Sequence, residues 1–136
     1  MIIYVPSVSG NGKTCDGIVE LVDILPTICD LWGTEKSPKL EGTSLLPLLN
    51  NPNQAWKKAA FISIPEPGGR GVALAVRTKQ YKYAVYRPNN NPEFELYDLE
   101  NDPFEHINVV DDPDYKKVRD QMAGLLKKGY RAALPE

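Results

Sequence analysis

The stretch GVALAVRTKQYKYAVY, residues 71–86, decides the fold of this 136-residue chain. Residues 71–77 are almost entirely apolar, and residues 81–86 alternate with a period of two, as neighbouring β-strands do. Residues 78–80 are short enough to form the turn between these two strands. The sequence therefore predicts an antiparallel hairpin in the middle of the chain.

Two further strands and one helix flank this hairpin. Residues 60–64 (AFISI) read as a strand before it, and residues 94–98 (FELYD) alternate again after it. Asp112 and Pro113 predict the start of a helix that ends near Gly129. Its apolar residues lie on one face: Tyr115, Val118, Met122, Leu125 and Leu126. Four strands followed by one helix predict an α+β fold, with a four-stranded antiparallel sheet packed against a C-terminal helix.

The first third of the chain has a different pattern. Residues 2–5 (IIYV) form an apolar run that predicts a buried strand, and a glycine-rich loop follows it. Residues 18–33 carry apolar side chains at helical spacing, with Asp23 as the expected cap. The leucines of residues 45–49 predict one short helical turn. This order of strand, loop and helix is the ending expected of an α/β domain.

Composition and charge exclude several classes of partner. The chain has a net charge of −2, with 25% charged and 42% apolar residues, which is ordinary for a globular protein. No basic surplus favours nucleic acid or an anionic membrane. No apolar run approaches the ~20 residues of a membrane span, and the N-terminus lacks the basic flank of a signal peptide. Since the chain opens on an apolar strand, we expect it to begin inside a longer protein.

Neither the cysteines nor the glycine-rich loop predicts a site. Cys15 and Cys29 cannot form a zinc site with the single histidine, His106, which lies far from both in sequence. Two independent thiols are the favoured interpretation, and a single disulfide is the alternative in an oxidising compartment. Residues 12–14 (GKT) resemble part of a phosphate-binding loop, but Ser7 stands where that pattern needs glycine. We interpret this segment as a solvated loop.

Four segments, in this order and spacing, resemble the type I sulfatase family of the alkaline phosphatase-like superfamily. Residues 21–33 (LVDILPTICDLWG) are similar to its V-D-x-x-P-T helix, and residues 40–49 (LEGTSLLPLL) to its G-x-S-L-x-P-L-L segment. Residues 77–83 (RTKQYKY) fit its R-T-x-x-Y-K-Y hairpin. Residues 95–108 (ELYDLENDPFEHIN) fit its E-L-Y-D-L-x-x-D-P-x-E-x-x-N signature. The resemblance runs from Met1 to about Gly129.

The resemblance implies a division of the chain and of the chemistry. Residues 1–53 would be the tail end of the sulfatase catalytic α/β domain with a connection, and residues 54–136 the C-terminal subdomain. The family's nucleophile is a formylglycine made in a C/S-x-P-x-R motif, and neither cysteine lies in one. Its calcium ligands lie upstream of this chain. Calcium and formylglycine are therefore expected in the longer protein, called the parent below, and no cofactor is expected here.

The resemblance also implies that the parent's catalytic N-terminal domain packs against this chain and that loops of the subdomain shape its substrate pocket. Glu66 and Arg70, in a loop between strands, and His106 are the substrate-proximal candidates. Arg70 suits a two-pronged contact with a sulfate or a sugar carboxylate. The favoured alternative is that Arg70 and His106 are solvated turn residues. In the signature, Asp102 is expected to accept from backbone N–H groups, with Asn108 closing the same turn.

Three functions remain open at this point. The first is a C-terminal sulfatase fragment that supports the parent and is inactive alone. The second is a fragment of a related phosphodiesterase or phosphonate hydrolase. The third is a stand-alone glycan-binding module, against which the low net charge argues. For the first we expect self-association through residues 2–5 and the helix ending at Trp32, and a periplasmic or extracellular parent, because bacterial sulfatases are often exported.

Overall fold

The computed structural model describes residues 1–65, 71–87 and 91–135. The chain divides into two compact units. The first unit comprises Met1–Lys57 with the chain end from Leu134, and the second comprises Lys58–Ala133. None of the helices in the described residues is long and apolar enough to cross a membrane.

The second unit contains the predicted sheet. Its strands are β1 (Ala60–Pro65), β2 (Val72–Arg77), β3 (Tyr81–Tyr86) and β4 (Glu93–Asp98), in the order β1-β2-β3-β4 with every pair antiparallel. Thr78 closes the turn between β2 and β3, because its hydroxyl accepts from the Tyr81 N–H at 2.9 Å. The predicted α+β fold is confirmed.

One face of this sheet packs against a helix. The register places Val76, Tyr83 and Leu96 side by side on that face, since alternate residues of a strand share a face. The buried cluster comprises Ala59, Val76, Tyr83, Val85, Leu96, Val110, Met122 and Ala133. The predicted helix face is confirmed, because Met122 lies in this cluster and the other four predicted residues pack against it.

That helix, α3, spans Lys116–Lys128 and starts three residues later than Asp112 and Pro113 predict. The Asp112 carboxylate accepts from the Asp114 N–H at 2.9 Å, and Pro113 opens a single 3-10 turn, Pro113–Tyr115, that leads into α3. The helix ends as predicted at Gly129, which adopts a φ of 77°.

The first unit contains helices α1 (Ile24–Trp32) and α2 (Leu46–Asn50). The predicted short turn of leucines is confirmed by α2, in which Leu48 is buried. Residues 2–5 form no strand here, because a strand needs a hydrogen-bonded neighbour and the four described strands pair with one another.

The helix predicted to follow Asp23 begins directly after it, but the expected side-chain cap is absent. Residues 18–20 are not helical, a 3-10 turn covers Leu21–Asp23, and only then does α1 begin. Asp23 occupies the position before α1, but its side chain does not cap the helix. Its carboxylate instead accepts from the N–H groups of Glu20 at 2.9 Å and Thr43 at 2.8 Å.

Candidate functional site

The signature turn, residues 99–108, begins where β4 ends at Asp98. The buried Asp98 carboxylate accepts from the Glu100 N–H at 3.1 Å, the Asn101 side-chain amide at 2.9 Å and the Tyr115 hydroxyl at 3.1 Å. Burial alone would raise the pKa of Asp98, but these hydrogen bonds outweigh it and hold the pKa below its ordinary value. The hydrogen bond between the Tyr115 hydroxyl and Asp98 raises the pKa of Tyr115. Asp98 therefore ties the sheet, the turn and the approach to α3 together.

Asp102 closes the turn, as the sequence predicts. Its Oδ2 accepts from the Ile107 N–H at 2.8 Å, and its Oδ1 lies 3.2 Å from Nδ1 of His106. The Ile107 N–H, and then the backbone and ring of His106, hold the pKa of Asp102 below its ordinary value. The turn is thus fixed by one carboxylate that faces two residues of its own loop.

Asn108 has a different role from the one expected. Its Oδ1 accepts from the Leu96 N–H at 2.9 Å, and its Nδ2 donates to the Phe94 carbonyl at 3.2 Å. The Val109 N–H donates to the Leu96 carbonyl at 2.9 Å. Because β4 is an edge strand, these bonds satisfy backbone groups that would otherwise be open to another chain. Asn108 seals the edge of the sheet instead of closing the Asp102 turn.

An ion pair joins the signature turn to the hairpin motif. Glu105 adopts a left-handed φ of 59°, which costs a non-glycine residue on the order of 1–3 kcal/mol. Its carboxylate pairs with Nζ of Lys82, which also lies 5.3 Å from the centre of the Tyr97 ring. Both partners are partly exposed, so the pair contributes at most about 1 kcal/mol. Lys82 of the hairpin motif therefore orients Glu105 of the signature turn.

The face of β3 and β4 opposite α3 carries two tyrosines beside this ion pair. The Tyr86 hydroxyl donates to Oε2 of Glu95 at 3.0 Å. Burial, and then the contact with Glu95, raise the pKa of Tyr86. Burial and the charge of Glu95 likewise raise the pKa of Tyr97. Sequence reasoning missed this cluster, although the alternation of β3 and β4 already places these side chains on one face.

Several side chains of the signature turn are exposed to solvent, among them two aromatic rings and one isoleucine. Phe104 is 79% exposed, Ile107 is 66% exposed, and the His106 side chain is 73% exposed. The Phe104 and His106 ring centres are 5.7 Å apart, with 46° between the planes. His106 is therefore a solvated residue in the turn, held by Asp102.

The other two sequence candidates, Glu66 and Arg70, lie outside the described residues, and their roles stay predictions. The flanking strand ends, Pro65 and Val72, pair at the opposite end of the sheet from Asp98, where the signature turn begins.

In the first unit, Asp23 is the centre of a buried charged cluster. Asp23 is 0% and Lys57 6% exposed, and Lys57 Nζ lies 2.6 Å from Asp23 Oδ1 and 2.8 Å from Glu20 Oε2. The Asp23 carboxylate also accepts a hydrogen bond from the Thr43 N–H. The two segments approach so closely that a Cβ on Gly42 would lie 2.0 Å from the Val22 carbonyl oxygen. This close approach explains why the V-D-x-x-P-T and G-x-S-L segments occur together.

The described residues do not fit the family's cofactors. No group of three or more His, Cys, Asp or Glu side chains among them is arranged to hold a metal ion, and the Asp23 carboxylate is already engaged by Lys57. Cys15 and Cys29 are free thiols, and Cys15 donates to the Pro52 carbonyl at 3.2 Å.

Comparisons with known proteins agree with the resemblance. The family described as N-sulphoglucosamine sulphohydrolase, C-terminal, matches residues 1–131. An N-acetylglucosamine-6-O-sulfatase of Bacteroides thetaiotaomicron is 31% identical over 134 residues, which cover 94% of this chain and 24% of that protein. Arylsulfatase K of Mus musculus is 33% identical over 117 residues, which cover 81% of this chain and 21% of that protein.

Two solved structures show the same fold. A protein in complex with its substrate D-glucosamine-2-N,6-O-disulfate is 30% identical with a TM-score of 0.68, over 78% of this chain and 22% of that one. The phosphonate monoester hydrolase of Agrobacterium radiobacter is 29% identical with a TM-score of 0.76, over 90% of this chain and 27% of that one. The chain spans about a quarter of the length of these relatives. It belongs to the N-sulphoglucosamine sulphohydrolase C-terminal family and corresponds to the C-terminal portion of a type I sulfatase.

Proposed function

We propose that this chain is the supporting and pocket-shaping portion of a longer sulfuric ester hydrolase and that it hydrolyses nothing by itself. One observation carries the proposal: the polar residues that define the family motifs are engaged in holding the fold. Asp23 binds Lys57 and Thr43, Asp98 binds Tyr115, and Asn108 binds the edge of β4. These contacts give each of these groups a structural role within its own unit.

The proposal assigns the chemistry to the rest of the parent. There, calcium and a formylglycine would form the centre that cleaves the ester. Residues 1–53 would be the end of the catalytic domain, and residues 54–136 the subdomain that supports it. The sugar sulfatases among the relatives support a sulfated saccharide as the parent's substrate.

The exposed face of α1 and the turn before it supports a catalytic domain as partner. Leu21 is 78%, Leu25 53% and Trp32 78% exposed, and they follow one another at helical spacing on one stripe. Each apolar side chain of this size left in water forgoes roughly 1.5–3 kcal/mol of burial. We infer that the rest of the catalytic domain covers this stripe in the parent and that the isolated chain associates with itself through it.

Sedimentation velocity tests this surface. The wild-type chain should sediment as concentration-dependent oligomers, whereas the double variant Leu25→Ser, Trp32→Ser should remain a monomer. Glu35→Ser, an exposed polar site just beyond α1, is the matched control and should behave as the wild type. A monomeric wild type at high concentration would contradict the inference.

A phosphonate monoester hydrolase as parent is the second candidate. It is favoured by the TM-score of 0.76 to the Agrobacterium radiobacter enzyme, against 0.68 for the complex with the disulfated sugar. The C-terminal portion alone does not separate the two activities, because the nucleophile motif lies in neither unit.

The deciding experiment compares this chain with its full-length parent on chromogenic aryl sulfate and phosphonate ester substrates, with and without calcium. We expect sulfate release by the parent and none by the chain. A parent that prefers the phosphonate ester would establish the second candidate. Sulfate release by the chain alone, at a rate that follows the protein through purification, would overturn the proposal.

A further inference from the structure

The signature turn separates residues that build it from residues that it displays. Asp102, Glu105 and Asn108 occupy fixed positions of the motif, and each is engaged within the second unit. Phe104 and His106 occupy positions that the motif leaves open, and both are largely exposed. Loops that a rigid scaffold positions frequently carry binding residues.

One member of the displayed pair, His106, is held by a neighbouring carboxylate. The Asp102 carboxylate faces Nδ1 of His106 at 3.2 Å and is itself fixed by the Ile107 N–H. A bond from Nδ1–H to Asp102 leaves Nε2 directed at solvent as an acceptor, or as a donor once the ring is protonated. The Phe104 ring lies beside it, with 5.7 Å between ring centres. The turn thus presents one apolar ring and one hydrogen-bonding nitrogen next to each other.

The local charge favours a sugar ring over an anionic group as the ligand. Asp102 is negative, and the neighbouring Lys82–Glu105 pair is neutral as a whole, so these described groups offer no surplus positive charge to a sulfate. A flat aromatic ring suits the C–H face of a pyranose, because its negative π-face attracts polarised C–H groups. The adjacent imidazole and carboxylate suit hydroxyl groups.

We propose that Phe104 and His106 form a subsite for a pyranose ring of the saccharide that the parent acts on, at a position away from the reacting sulfate. Phe104 stacks on the ring, and His106 Nε2 bonds one hydroxyl. The substrate class rests on the proposed function, but the subsite itself can be tested on this chain.

The chain provides its own probe, because His106 is its only histidine. Its ring C–H proton resonances can be followed by NMR while the chain is titrated with D-glucosamine-2-N,6-O-disulfate, and separately with an unsulfated disaccharide of glucosamine and glucuronic acid. We expect saturable shifts of the His106 and Phe104 ring signals with both sugars. No shift with either sugar at millimolar concentration would overturn the subsite.

Variants distinguish stacking on Phe104 from non-specific hydrophobic binding. Phe104→Ala should weaken binding by about tenfold or more, whereas Ile107→Ala, in the same turn and similarly exposed, should bind as the wild type. His106→Gln keeps both a hydrogen-bond acceptor and a donor and should retain more affinity than His106→Ala. Equal losses in the Phe104 and Ile107 variants would overturn the proposal.

The parent supplies a second readout that separates the two proposals. There Phe104→Ala should lower kcat/KM for a sulfated oligosaccharide by about tenfold and leave hydrolysis of a small aryl sulfate unchanged. A wild-type parent inactive on both substrates would refute the proposed function, and the NMR titration would still decide the subsite. An active parent in which the variant matches the wild type on the oligosaccharide would refute the subsite alone.

Discussion

The two units of this chain bury different chemistry. The second unit buries an apolar cluster between a sheet and a helix, with Val76 and Leu96 both 0% exposed. The first unit buries Asp23 and Lys57 with only a few apolar side chains, and it leaves Leu25 and Trp32 in solvent. The difference teaches that a family motif does not by itself mark an apolar core: the second unit encloses an apolar interior, whereas the centre of the first unit is a buried ion pair.

The two tryptophans allow this comparison to be tested one unit at a time. Trp32 and Trp56 both belong to the first unit, and residues 58–133 contain none. Tryptophan fluorescence therefore reports unfolding of the first unit, and amide hydrogen exchange in the strands reports unfolding of the second.

The largest effect is expected from Asp23→Ala, which leaves Lys57 with Glu20 as its remaining carboxylate partner and removes the acceptor of the Glu20 and Thr43 N–H groups. Removing one partner of a buried ion pair costs about 3–5 kcal/mol, enough to unfold the first unit, and the native tryptophan emission should be lost in urea at much lower concentration. Asp30→Ala is the control, because the partly exposed Asp30–Lys36 pair, at 2.9 Å, is worth at most about 1 kcal/mol. Equal losses in both variants would mean that the buried cluster is not the centre of this unit.

Leu96→Ala should have a similar or slightly smaller effect in the second unit. Removing a fully buried leucine side chain costs roughly 2–5 kcal/mol, and hydrogen-exchange protection in β3 and β4 should fall accordingly. Phe104→Ala, at an exposed site, should change stability by less than about 0.5 kcal/mol. If Leu96→Ala shifts the unfolding transition seen by tryptophan fluorescence as far as the one seen by hydrogen exchange in the strands, the two units unfold together. The contrast between the two units would then be wrong.

Replacing each of two glycines with alanine should change the free energy of unfolding in opposite directions. Gly42→Ala in the first unit places a Cβ 2.0 Å from the Val22 carbonyl oxygen, and overpacking of this kind costs about 1–3 kcal/mol. Gly124→Ala in α3 of the second unit meets open space and should stabilise the helix by about 0.8–1 kcal/mol. The urea midpoint of each unit measures both effects, and a stable Gly42→Ala variant would show that the two segments do not approach as closely as observed.

The smallest effect is the acid response of Asp98. Its pKa is lowered in the folded state, so the folded chain holds fewer protons there than the unfolded chain. The resulting stability is present above the unfolded pKa of about 3.9 and is lost as the pH falls through the lower folded value. Strand protection should therefore decline below about pH 4, and less steeply in Asp98→Asn. The exposed control Asp111→Asn should keep the wild-type profile, and an identical slope in both variants would remove Asp98 as the cause.

Local patterns predicted the second unit well. The alternation of residues 81–86 and 94–98 placed β3 and β4 to within one residue, and the spacing of Val118 and Met122 predicted the buried face of α3. These features depend on neighbours a few positions away, which a sequence displays directly. The capping role expected of Asp23 was wrong, since its side chain bonds Thr43, twenty positions later, instead of capping its own helix.

The candidate site was only partly predictable. The sequence predicted that Asp102 closes the signature turn, and the hydrogen bond from the Ile107 N–H to Asp102 confirms this. It also placed His106 in the same turn. It did not show that Asn108 seals β4 or that Lys82 orients Glu105, because these partners come from different elements. Whether Glu66 or Arg70 faces a substrate stays a prediction.

The sequence by itself therefore determined the secondary structure of the second unit, the family and the turn that Asp102 closes. These rest on short-range periodicity, turn chemistry and motif spacing. Only the tertiary structure decided that Asp23 and Lys57 are buried together, that the edge of β4 is sealed, and that Phe104 and His106 are displayed side by side. The physical reason is that burial and hydrogen-bond pairing depend on which distant segments come into contact, and local sequence patterns do not predict those contacts.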